Sequence, residues 1–311
     1  MARKKIALVG GGQIGGILAL LVAQKELGDA IVVDIPEKEG VAKGKTLDIF
    51  EATPLLGVDC DLSGTSNWED IKGADVVIIT AGVPRKPGMS REDLLDVNIK
   101  IMTNVAENVK KYCPNAFCII VTNPLDAMVY SFKKITGFPK NRVVGMAGVL
   151  DAGRYQSFIA LELGVSTEDI AGTVLGGHGP AMVPLPRLTT VGGIPLTELM
   201  SQEKIDAIVD RTRKAGTEIV GLLGTGSAFF SPAISAIEMA ESYLNDKKRV
   251  LPCAALLEGE YGINGYYIGV PVIIGAGGVE KVIELKLTDE EKELLASSLE
   301  RVKKAVEETK L

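Results

Sequence analysis

The chain has 311 residues, 46% of them hydrophobic and 24% charged, with a formal net charge of -6. This is the composition of a globular protein with enough chain for about two domains and a substantial core, which excludes disordered and fibrous classes. The acidic balance, with basic residues scattered in short groups such as Arg3-Lys4-Lys5 and Lys247-Lys248-Arg249, argues against nucleic acid as a partner.

At the N-terminus a few basic residues lead into a short apolar run at 6–9. It breaks at Gly10, without the length or cleavage site of a secretory signal. No apolar stretch reaches the ~20 residues of a membrane-spanning helix, so no membrane partner and a cytoplasmic location are expected. The first half alternates short β-branched runs, at 6–9, 30–33, 76–80, 118–122 and 143–146, with longer helical patterns. That alternation predicts an α/β fold with a Rossmann-type, doubly wound parallel sheet.

Directly after the first strand comes Gly10-Gly11-Gly12-Gln13-Ile14-Gly15, opening onto a helical stretch at 17–23. Gly10 permits the tight turn, Gly12 lets backbone N–H groups approach a pyrophosphate, and Gly15 allows close packing of helix on strand. Asp34, at the end of the second strand and roughly 20 positions beyond Gly15, is placed to accept ribose hydroxyls. On its own it also reads as a turn residue. Together with the glycines it predicts dinucleotide binding and favours NAD, because a carboxylate there repels the 2′-phosphate of NADP.

After the run at 76–80, a Gly/Pro-rich segment holds Arg85 and Arg91. It lies where α/β sheets bind ligands, and it is expected as an active-site loop over about 82–95. Several guanidinium forks in one cleft suit a dicarboxylate, although a single loop arginine is ordinarily solvated. A helix is predicted over 93–112, ending before Pro114. Asn123-Pro124 follows the next strand; it reads equally as a ligand-orienting amide and as a turn.

Beyond Met146 the pattern loosens into mixed helices and strands: a helix near 151–163, a strand near 173–175, a hairpin over 188–196 turning at Gly192-Gly193, and a last helix opened by the capping box Thr288-Asp289-Glu290-Glu291. The expected division is a dinucleotide-binding domain at 1–146 and a mixed α+β catalytic domain at 147–311, with a cleft between them. Asp151 and Arg154 share a helix face, as a surface ion pair also would. Cys60, Cys113, Cys118 and Cys253 lack CxxC spacing and read as reduced packing residues; no metal is implied. His178, in Gly176-Gly177-His178-Gly179-Pro180, is the only histidine. With an unperturbed pKa of about 6.5 it suits proton transfer, though a lone histidine is more often a satisfied core or surface residue.

The motifs GGGQIGG, VVDI, ITAGVPRKPGMSREDLL, VTNPLDAM, GMAGVLDAGR, GGHGP and GTGSAFFSPA, in this order, resemble those of the lactate and malate dehydrogenase superfamily. The likeness is to its lactate-dehydrogenase-like malate dehydrogenases, and it runs nearly end to end. The resemblance implies an NAD-dependent interconversion of malate and oxaloacetate, a step of the tricarboxylic acid cycle. His178 would exchange the proton, paired with Asp151. Arg154 would hold one substrate carboxylate, and Arg91 would polarise the carbonyl. Asn123 would touch both substrate and nicotinamide, and Gln13, Ile14, Asn98 and Val121 would join Gly10, Gly12, Gly15 and Asp34 around the cofactor. Arg85 stands where the family's lactate enzymes carry Gln, and Ser227 would border the substrate. A homo-oligomer, dimer or tetramer, is also implied. Lactate dehydrogenase and a non-catalytic dinucleotide-binding protein are the alternatives at this stage.

Overall fold

The computed structural model describes residues 3–83 and 91–311, the side chains of 91–93 excepted. Its first half is built from β1 (Lys5–Val9), α1 (Gln13–Gln24), β2 (Asp29–Val33), α2 (Glu39–Leu56), β3 (Leu62–Thr65), β4 (Val76–Ile79), α3 (Arg91–Tyr112), β5 (Phe117–Ile120), α4 (Leu125–Thr136) and β6 (Val143–Gly145). The six strands pair in parallel in the order β6-β5-β4-β1-β2-β3. Strands β4, β5 and β6 are buried along their whole length, as a sheet covered on both faces requires. Alternate residues of β1 go to opposite cores. Ile6 and Leu8 pack with Leu18 and Val22 of α1, and Ala7 and Val9 pack with Met102 and Val105 of α3.

The second half continues through α5 (Gly148–Leu163), the two-residue strands β7 (Ile170–Ala171), β8 (Val174–Leu175), β9 (Val183–Pro184), β10 (Thr190–Val191) and β11 (Ile194–Pro195), then α6 (Leu196–Leu199), α7 (Gln202–Leu223) and α8 (Phe230–Leu244). It ends with β12 (Arg249–Glu258), β13 (Asn264–Gly275), β14 (Gly278–Val282) and α9 (Asp289–Glu307). Strands β12 to β14 are antiparallel and join the first sheet at β6 through the pair Ala254↔Gly145, making one sheet of nine strands. The expected hairpin forms as β10–β11, with Gly192 and Gly193 at positive φ between them. Thr288 and Glu291 make both bonds of the capping box.

Three features depart from the sequence reading. β3 was not expected, because Leu62-Ser63-Gly64-Thr65 is polar and small; it forms as an edge strand that needs only one neighbour, β2. The helix expected from 93 begins at Arg91, so the end of the expected loop is helical. Finally, β12 to β14, over a stretch given no strand in the sequence reading, complete the first half's sheet. All four cysteines are buried and free. None of the described helices is long and apolar enough to cross a membrane.

The parallel order reverses between β1 and β4, and at such a switch point the connections diverge and leave a crevice at the carboxyl ends of the strands. The glycine turn after β1, the segment after β4 and Asn123 after β5 all leave the sheet at this edge.

Candidate active site

Gly10 lies at φ 110°, and a Cβ there would meet Thr80 Oγ1 at 2.6 Å. A Cβ on Gly15 would lie 1.9 Å from the Gly10 carbonyl oxygen, so only glycine lets α1 start this close to β1. The other side of the turn is open: a Cβ on Gly12 would touch nothing within 4 Å. Helix α1 begins at Gln13 with no side-chain cap and no acidic residue in its first turn. Its first N–H groups and the positive end of its dipole are therefore left to an external anion. Asp34 braces the turn from behind, its Oδ2 accepting from Gly11 N at 2.7 Å and its Oδ1 from Ile35 N at 2.8 Å. Lys45 Nζ donates to the carbonyls of Gly11 and Gly12. These residues fit a dinucleotide pyrophosphate.

Asn98 is 1% exposed. Its Oδ1 accepts from Val83 N, and its amide donates to the carbonyls of Val83 and Asn123. Both amide hydrogens serve the protein's own backbone, so its contribution to a cofactor site runs through the segments after β4 and β5 that it ties together.

His178 lies in the segment between β8 and β9. Its Nδ1 is 2.9 Å from Asp151 Oδ2, and Asp151 sits in the first turn of α5 with its side chain 2% exposed. On the other side of that carboxylate, Arg154 Nη1 approaches Oδ1 at 3.5 Å. This distance is long for a hydrogen bond, so the contact acts mainly through charge. The pair is buried rather than the surface pair that its spacing alone allowed. Burial pulls the imidazole pKa down, but the Asp151 carboxylate, by charge and by hydrogen bond, and Asp126 behind it outweigh that; against the opposing charge of Arg154, the net displacement is upward. With Asp151 as acceptor, Nδ1 carries a hydrogen in both protonation states, leaving Nε2 to exchange a proton. The Arg154 pKa is lowered by burial, against the raising effect of Asp151, and a guanidinium remains charged throughout. Its Nε is buried with no partner among the described residues.

A cavity of about 240 Å³ joins these parts. Ile14, Val121 and Asn123 of the first half line it with Arg154, His178 and Ser227 of the second. The Arg85 expectation falls outside the described residues, as does the Arg91 side chain. Arg213 and Thr217 of α7 also line the cavity and were not anticipated. Arg213 donates through Nε to the Met182 carbonyl, which holds its guanidinium at the wall. In sequence Arg213 sits between other basic residues of α7, Arg211 and Lys214, and nothing local reveals that it faces the cavity.

A phosphate-ready glycine turn, leading through Ile14 to a cavity that a carboxylate-paired imidazole lines, defines a dinucleotide-binding protein equipped for proton transfer. The chain belongs to the lactate/malate dehydrogenase family: residues 4–145 match its NAD binding domain and residues 148–310 its alpha/beta C-terminal domain. It is 63% identical over 311 residues to malate dehydrogenase 1 of Anaeromyxobacter dehalogenans, covering 99% of each chain. The solved malate dehydrogenase of Cryptosporidium parvum superposes with a TM-score of 0.96 at 49% identity, covering 99% of both chains. The lactate dehydrogenase of the same organism, complexed with lactic acid and nicotinamide adenine dinucleotide, gives 0.95 at 48%, covering 99% of this chain and 98% of its own. Enzymes named for either substrate share this fold, so the fold alone does not discriminate between the two substrates.

Proposed function

We propose that this protein is a cytoplasmic NAD-dependent malate dehydrogenase interconverting (S)-malate and oxaloacetate, as in the tricarboxylic acid cycle. The observation that carries the reading is the 2.9 Å contact between His178 and the buried Asp151, with Arg154 beside them on a cavity that the cofactor half also lines. In malate oxidation the C2 hydrogen leaves as hydride, the hydroxyl proton passes to His178 Nε2, and the C–O bond becomes a carbonyl. NAD, when bound, supplies the hydride acceptor. The chain's own residues manage the rest. Asp151 stabilises the imidazolium that forms. Arg154 holds the carboxylate next to the reacting carbon through its guanidinium fork. Arg91 polarises the carbonyl, and Asn123 orients substrate against the nicotinamide. Gly10, Gly12, Gln13, Ile14, Gly15, Asp34, Asn98 and Val121 form or support the cofactor seat.

Arg85 selects malate over lactate by meeting the second carboxylate, which pyruvate lacks; pyruvate would leave that cation unpaired. NADH oxidation, followed by absorbance with oxaloacetate and pyruvate in parallel, should show a large preference for oxaloacetate. Arg85→Gln should lower kcat/KM for oxaloacetate by roughly 10- to 100-fold, the worth of a hydrogen bond to a charged group, with a much smaller change for pyruvate. Equal losses on both would remove Arg85 from specificity, and a wild-type preference for pyruvate would make the enzyme a lactate dehydrogenase.

The reading includes a homo-oligomer, dimer or tetramer. Val41, Leu47, Phe50 and Leu55 of α2 are exposed apolar residues that a second copy would cover. Sedimentation equilibrium should give a multiple of the 32.9 kDa chain mass; a monomer at micromolar concentration would contradict it.

A further inference from the structure

The segment carrying His178 is held at consecutive positions by three helices. Gly177 N donates to Ser298 Oγ of α9 at 2.8 Å, His178 N donates to Asp126 Oδ2 of α4 at 3.1 Å, and the His178 ring meets Asp151 of α5. Asp151 belongs to the proton-transfer pair already described. Asp126 is a second carboxylate at the same histidine, and its Oδ1 is buried with no hydrogen-bond partner. It lies in the first turn of α4, where a carboxylate is stabilised by the helix dipole. That local role does not require a bond to a backbone N–H far away in sequence, nor a buried oxygen without a donor.

From this we infer that Asp126 is a positioning residue of the proton-transfer site: one oxygen anchors the His178 backbone, and the charge on the carboxylate adds to that of Asp151 in favouring the imidazolium. The inference rests on the reading of His178 as the proton carrier. The groups that face Asp126 are His178 from the β8–β9 segment and Asp151 from α5, the latter with Arg154 on its far side. From α9 the uncharged Ser298 and Val302 pack beside Gly177. Burial pushes the Asp126 pKa up to about 6, against the lowering effects of the His178 charge and backbone bond and with a further push from Asp151. Ionised Asp126 favours the imidazolium; protonated Asp126 does not. The two groups therefore titrate as a coupled pair, with steps that belong to the pair.

The single histidine makes a direct test available, because its ring resonance needs no assignment. His178 would be titrated by NMR in histidine-labelled, untagged protein, for the wild type and for Asp126→Asn, an isosteric change that can keep the backbone acceptor and removes the charge. The wild type should show two steps, and Asp126→Asn a single step at lower pH. The same variant should lose oxaloacetate reduction at lower pH than the wild type, a shift that a purely structural role would not produce. A single wild-type step, or an unmoved midpoint in the variant, would overturn the inference. Should the variant fail to fold, the wild-type curve decides alone, two steps supporting the coupling and one step refuting it. Turnover of His178→Asn, measured alongside, separates the two claims: if it stays active, the proton-carrier reading fails whatever Asp126 does to the ring.

Discussion

His178→Asn is expected to lower turnover by roughly 10²- to 10⁴-fold, the usual contribution of a positioned general acid or base, while NADH binding stays near the wild-type value. At 1.36 kcal/mol per tenfold, that is about 3–5 kcal/mol of transition-state stabilisation. Asparagine is polar and can still meet Asp151, so the site should not collapse, but it cannot carry the hydroxyl proton. The cofactor seat around Gly12 and α1 is separate from the ring, and fluorescence titration with NADH should therefore be unaffected. Retained turnover would remove His178 from the chemistry, and lost NADH binding would mean that the substitution disturbs more than proton transfer.

The sign of the wild-type pH dependence follows from the same ring. Reduction of oxaloacetate needs imidazolium to give a proton, and oxidation of malate needs neutral imidazole to take one. Because the His178 pKa is displaced upward, the reductive rate should persist through the ordinary histidine range and fall as pH rises through the raised value. The oxidative rate should rise across that interval.

Much of the site was legible because its chemistry is local in sequence. The glycine turn, Asp34 and the apolar strands announce themselves by spacing, since a turn this tight and strands buried on both faces admit few residue types. His178 stood out through its isolation among glycines, and Asp151 and Arg154 through the family resemblance. What escaped reading depends on the three-dimensional course of the chain. Asp126 sits in the quoted VTNPLDAM motif, yet its aim at the His178 N–H is set by how α4 packs, which no local pattern encodes. Arg213 looks like any surface cation of α7 until its Nε is seen on the Met182 carbonyl. Asn98 stands where the resemblance puts a cofactor residue, and its amide bonds to Val83 and Asn123 were not legible in the sequence. Strand β12 joins β6 at the Ala254↔Gly145 pair and carries β13 with it into the same sheet, a long-range pairing that no local pattern encodes.

Asp151→Asn should cost turnover on a similar scale, roughly 10²- to 10⁴-fold; the comparable carboxylate-to-amide change in a serine-protease triad costs about 10⁴. Two effects combine. Loss of the carboxylate charge removes the larger part of what raises the His178 pKa, the rest coming from Asp126, so the reductive limb of the pH profile should move to lower pH. Separately, an amide NH₂ facing Nδ1 makes that nitrogen an acceptor and places the hydrogen of the neutral ring on Nε2, the wrong tautomer for taking a proton from malate. Arg154, 12% exposed in its side chain, also loses its counter-charge, and the urea midpoint should fall by the equivalent of up to about 3 kcal/mol. The pH profile distinguishes the two effects. If charge were the whole contribution, lowering the pH would reprotonate His178 and restore oxaloacetate reduction in full. A deficit that persists at low pH, together with malate oxidation depressed at high pH where the ring is neutral, assigns Asp151 the hydrogen bond and the tautomer as well. An unchanged profile with wild-type turnover would leave the 2.9 Å contact without a catalytic role.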